Sequence, residues 1–93
     1  MKSRPWDTDN ESKNLLLNTR AACKAFNLKI THVERKVGIG SGYVIMAIKR
    51  NSSVGVCIAA RIADQLGFTV DEMIKPPEEF QRLLDEFKTE GDN

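Results

Sequence analysis

The sequence predicts an all-α domain, and three observations carry that prediction. No segment of useful length alternates apolar and polar residues with the period of two that a half-buried strand needs. Apolar residues recur instead at i, i+3 and i+4 in successive segments, as in Phe80, Leu83, Leu84 and Phe87. Those segments are bounded by cap and breaker residues: T-x-x-E pairs at Thr8 and Thr69, Asn27, Gly38 and Gly67 at helix ends, and Pro76-Pro77. Ninety-three residues are enough for one small domain around one core.

Each element has its own justification. Residues 1–10 are polar and are expected to form a flexible segment, with Pro5 and Trp6 as its only anchors. The Thr8 to Glu11 capping box starts a first helix near Asp9 or Asn10, running to about Phe26. Its apolar face is Leu16, Thr19, Ala22, Cys23 and Phe26, and Asn27 ends it in a left-handed conformation. A second helix covers about 30–37 and stops at Gly38, and a third covers about 41–49. The polar link 50–53 leads to a fourth helix over about 55–66, with Val56, Ala59, Ala60, Ile62, Ala63 and Leu66 as a broad buried face. Thr69 and Glu72 cap a short fifth helix ending near Ile74. Past the Lys75-Pro76-Pro77 break, a sixth helix over about 77–89 carries the amphipathic stripe. The organisation read from this is an N-terminal segment 1–10, a core domain 11–75, and a C-terminal helix and tail 76–93.

The most informative stretch is 28–50. Val33 and Val37 lie one turn apart on the second helix, Ile39 fills the turn, and Val44 and Ala47 lie at i and i+3 on the third. These five side chains can meet in one small core, which leaves Ser41, Gly42, Tyr43 and Met46 on other sides of the third helix. This is the sequence form of a helix-turn-helix, in which the second of two short helices enters the major groove of DNA. On that reading Ser41, Gly42, Tyr43 and Met46 are the base-contact candidates. Lys29, Thr31, Lys49, Arg50, Asn51 and Ser52 are the phosphate-contact candidates, aided by free N–H groups at the starts of the second and third helices.

The charge map agrees. Between residues 13 and 61, nine basic residues face the single acid Glu34, a net +8. From residue 62 onward three bases face nine acids, a net −6, so the overall +1 hides a basic half and an acidic half. The basic half holds the motif, as a phosphate-binding surface requires.

Other chemistry finds little support. Gly38-Ile39-Gly40-Ser41-Gly42 is not a dinucleotide loop: it follows a helix, and Tyr43 stands where the third spacing would need glycine. His32 is the only histidine and has no partner at metal-ligand spacing, so no metal site and no cofactor is expected. No nucleophile has a base and an orienting group at a suggestive spacing, and the chain reads as a non-enzyme with no small-molecule ligand. Cys23 and Cys57 lie in apolar helical patterns and read as ordinary buried, reduced thiols. No apolar run approaches a membrane span and residues 1–10 lack a signal-like core, so a cytoplasmic protein with no membrane partner is expected.

Two segments carry a family resemblance. Residues 60–74, Ala60-Arg61-Ile62-Ala63-Asp64-Gln65-Leu66-Gly67-Phe68-Thr69-Val70-Asp71-Glu72-Met73-Ile74, resemble the closing pattern of the lambda-repressor-like, Cro/CI-type (XRE family) helix-turn-helix domain. The string 23–28 followed by 33–38 is similar to a subgroup common in Gram-positive bacteria and their phages. The resemblance covers about residues 12–75. Ile30 stands where the family often has a DNA-touching Gln, and Glu34 where it commonly has a small residue, although the subgroup often has an acid there. The third helix is poor in Arg, Asn and Gln, and Ile45 and Ile48 are apolar for a helix facing DNA.

The resemblance implies a lambda-repressor-like five-helix DNA-binding domain with an additional C-terminal amphipathic helix. The expected function is a phage or bacterial transcription regulator, of repressor type, whose partner is double-stranded DNA. The alternative is a protein-interaction module on the same fold, such as an antitoxin or phage regulatory protein with little or no DNA readout. Phe80, Leu83, Leu84 and Phe87 are the dimerisation candidates, since such regulators usually read two half-sites; the same stripe is also expected to cover part of its own domain.

Overall fold

The computed structural model describes residues 10–91, which form six helices and no strand: α1 (Glu11–Ala25), α2 (Ile30–Val37), α3 (Tyr43–Arg50), α4 (Val56–Leu66), α5 (Val70–Met73) and α6 (Pro77–Gly91). No helix among the described residues is long and apolar enough to cross a membrane.

Helix α1 is the hub, touching α3, α4, α5 and α6. A hub needs a wide apolar face, and α1 has one: Leu15, Leu16, Ala22 and Cys23 are buried together with Ser12, Asn18 and Thr19. Its buried polar groups all serve other elements or its own backbone. Ser12 Oγ accepts the Val54 N–H at 2.9 Å, and Thr19 Oγ1 donates to the Leu15 carbonyl at 2.7 Å. The Asn18 amide donates to the carbonyls of Met73 and Lys75, both at 2.8 Å, and the Asn14 amide to that of Ile74 at 3.1 Å. These bonds satisfy carbonyls that the end of α5 would otherwise leave unmatched. At its other end α5 has the expected capping box: Glu72 N–H to Thr69 Oγ1, and Thr69 N–H to Glu72 Oε1. A helix of one turn is too short to hold itself together, so these bonds at both ends are what define it.

Helix α6 lies along α1 and shares its core. Phe80 and Leu84 are fully buried. Phe68 links the cluster, with ring centroids 5.0 Å from Phe80, 5.0 Å from Phe87 and 6.2 Å from Phe26. Of the four stripe residues considered for dimerisation, Phe80 and Leu84 therefore pack inside the chain's own core. Leu83 is half-buried, and Phe87 remains 45% exposed.

Several local expectations are corrected. The first helix starts at Glu11, with Asn10 as N-cap and no side-chain cap bond, so Glu11 is not the third residue of a capped turn; Thr8 lies outside the described residues. In α4 the buried set is Ala59, Ile62, Ala63 and Leu66, while Val56, Cys57 and Ala60 are exposed. Just before the helix Val54, tethered through its N–H to Ser12, is buried. The four buried residues set the inward side of α4; Cys57 lies roughly opposite it, and Val56 stands in the first turn, where it is left exposed.

Candidate nucleic-acid interface

The turn between α2 and α3 is built by its backbone. Gly38 takes φ +93°, and its N–H and that of Ile39 close onto the Glu34 carbonyl, ending α2 in a left-handed cap. Ile39, partly buried, packs against the core as expected. Gly42 takes φ +85° at the N-cap of α3, a conformation that a residue with a Cβ rarely adopts. At the far end Asn51 is left-handed, and the Ser52 N–H donates to the Ala47 carbonyl at 2.9 Å.

The central feature is Glu34, which is only 1% exposed. Its Oε1 accepts the Gly42 N–H and its Oε2 the Val44 N–H, both at 2.9 Å. A carboxylate from one helix thus caps the positive end of the next and fixes where α3 begins. Helix α3 starts at Tyr43, two residues later than the sequence suggests. The Tyr43 N–H donates to the Gly40 carbonyl, so the amides of residues 42–44 all have protein acceptors. The expectation of free N–H groups at the start of this helix is therefore corrected for these three residues. Helix α2, by contrast, begins after Lys29 with no side-chain cap bond and no acidic residue in its first turn. Nearby, burial and secondarily the Glu34 charge push the Cys23 thiol up from its ordinary value.

The faces of α3 follow from helical arithmetic. Val44 and Ala47 are buried and set the inward direction. At about 100° per residue, Tyr43 and Ile48 flank that direction by roughly 70°, Ile45 and Met46 by roughly 130°, and Gly42 and Lys49 oppose it. The structure follows this order within the helix and departs from it at Gly42, the left-handed N-cap. Tyr43 and Ile48 are half-buried against the core, Ile45 and Met46 are each 42% exposed, and Lys49 is exposed. Of the four base-contact candidates, Ser41 and Met46 are presented outward, whereas Gly42 and Tyr43 are half-buried. Ile45, absent from the base-contact candidates, belongs to the outward face, where its spacing from Val44 and Ala47 places it. Among the phosphate-contact candidates, Lys29, Thr31, Lys49, Arg50 and Asn51 are exposed and Ser52 is half-buried.

Electrostatically, the folded chain sharpens what the sequence shows. All nine basic residues between 13 and 61 are exposed: Lys13, Arg20, Lys24, Lys29, Arg35, Lys36, Lys49, Arg50 and Arg61. The single acid of that stretch, Glu34, is inside. Every exposed charged side chain of this half is a cation. Among the described residues no group of three His, Cys, Asp or Glu side chains is arranged to hold a metal ion. No protein-family model, curated protein or solved structure matches the chain.

Proposed function

We propose that the chain is a sequence-specific DNA-binding transcription regulator, of the repressor type found in phages and bacteria, on a lambda-repressor-like fold. Helix α3 enters the major groove, and Lys29, Thr31, Lys49, Arg50 and Asn51 contact phosphates on either side. One observation carries this reading: Glu34, the only acid in the basic half, is buried as the cap of α3. Burying it holds the presented helix in place and leaves only cations among the exposed charges of residues 13–61, in keeping with what a groove reader requires. The acidic half, with Asp64, Asp71, Asp85 and Glu86 exposed, would face away from the phosphates. A single recognition helix gives limited contact, so two copies on half-sites about 34 Å apart would act together. Leu83 and Phe87 are the stripe residues left accessible for that contact.

The test is a salt series on duplex binding. Lys49→Ala together with Arg50→Ala weakens binding to every sequence and flattens the log K against log[salt] slope by roughly one unit per contact removed. Unchanged affinity and slope would refute the phosphate assignment. A second reading, a protein-interaction module, draws on the exposure of Ile45 and Met46. It is favoured if duplex DNA fails to bind even at low salt.

A further inference from the structure

The exposed side of α3 is unusual for a reader of bases. From residue 41 to residue 48 only Ser41 and Tyr43 have side chains able to donate a hydrogen bond, and Tyr43 is half-buried. The backbone adds little, because the amides of Gly42, Tyr43 and Val44 are already bound to Glu34 and Gly40. What α3 presents is a pair of apolar side chains, Ile45 and Met46, each 42% exposed, with Lys49 and Arg50 one turn further on, both exposed. An apolar pair next to cations, on a half whose exposed charges are all positive, fits a polyanion with an apolar feature in a groove. In the major groove of DNA that feature is the C5-methyl group of thymine.

We infer that base recognition by α3 is methyl recognition: Ile45 and Met46 pack on C5-methyl groups in the major groove. This inference rests on the DNA-binding reading above and names the feature that reading recognises. It has a consequence that hydrogen-bond readout does not share. A C5-methyl occupies the same ring position in thymine and in 5-methylcytosine, so the two are read alike, while uracil and unmethylated cytosine both lack the contact. Ser41, exposed at the start of the turn into α3, is left for a phosphate or a single base edge.

The experiment uses the full chain and a duplex selected for tight binding from a random pool, titrated by fluorescence anisotropy. Each thymine is replaced singly by deoxyuridine, which removes the methyl and nothing else. Positions that respond are then rebuilt as C·G pairs with and without 5-methylation. Each contacted methyl is expected to contribute about fourfold in affinity, lost with uracil and regained on methylating cytosine. The Ile45→Ala, Met46→Ala double variant is expected to melt within a few degrees of the parent, since both side chains are on the surface, and to lose the uracil penalty. Salt-dependent binding that no replacement changes by as much as about twofold overturns methyl recognition and leaves DNA binding standing. A uracil penalty that persists in the double variant overturns the assignment to Ile45 and Met46. Failure of every duplex to bind at low salt overturns the DNA-binding reading itself, a result with a different signature.

Discussion

Replacing Glu34 by alanine removes both acceptors of a buried bidentate cap. The two bonds, from Gly42 and Val44, are each 2.9 Å long, and the carboxylate is almost wholly enclosed. A hydrogen bond to a charged group contributes about 1.5–3 kcal/mol, and a buried donor left without a partner costs about 1–3 kcal/mol. The charge also faces the positive end of α3, worth a further ~0.3–1 kcal/mol. Against these, the alanine variant no longer has to desolvate a carboxylate, which returns part of the total. A net loss of about 3 kcal/mol results, from a stability that for a chain of this size is about 5–14 kcal/mol. The melting temperature should fall by about 12 °C or more. Glu34→Gln keeps the volume and one oxygen but turns an NH2 toward a backbone N–H, so about half of that fall is expected. Calorimetry gives the magnitude, and native-state amide exchange identifies the cause. The Gly42 amide sits at an N-cap, where protection requires a partner, and it should be protected in the parent and exposed in Glu34→Ala. A Glu34→Ala protein that melts within about 3 °C of the parent, with its Gly42 amide still protected, would refute the capping argument.

Further outcomes follow from the core and the thiols. Cys57 is exposed and Cys23 is buried, so an aromatic disulfide reagent should label the native chain once quickly, and a second time only as fast as it unfolds. Burial raises the Cys23 thiol in the folded state, so the unfolded chain releases this proton first. That contribution to stability is full below the ordinary thiol value and declines as pH rises past it, a slope that Cys23→Ala should remove. Phe80→Ala empties a fully buried aromatic site beside Phe68 and should cost about 3–5 kcal/mol by urea unfolding. Truncation after Lys75 removes Phe80 and Leu84 together and should destabilise more still. A truncated chain that unfolds at the parent's urea concentration would show that α6 is not part of the core.

Much of the architecture was legible because it depends on local chemistry. The helix ends at Asn27, Gly38 and Gly67 are left-handed in the structure, as a residue tolerant of positive φ signals. The capping box at Thr69 and Glu72 is present, and α2 covers the residues its periodicity indicates. The errors gather where an element's phase is set from outside. Cys57 and Val56 belong to an apolar helical pattern, yet both are exposed once Ala59, Ile62, Ala63 and Leu66 take the inward side of α4. Tyr43 has the look of a contact residue, but its angle from Val44 and Ala47 turns it against the core.

The sequence by itself determined the all-helical class, the order of the six helices, and the separation of charge into a basic and an acidic half. These follow from spacing, cap residues and composition, which act within a few residues of chain. Only the tertiary structure decided that Phe80 and Leu84, of the four stripe residues, are the ones enclosed in the chain's own core, and that Asn14 and Asn18 hold the end of α5 across more than fifty residues of sequence. It alone decided the role of Glu34. As one charge among many, a glutamate on a short helix reads as solvated surface. It becomes the cap of α3 because packing in three dimensions brings the Gly42 and Val44 amides to its carboxylate and removes the water that would otherwise satisfy it.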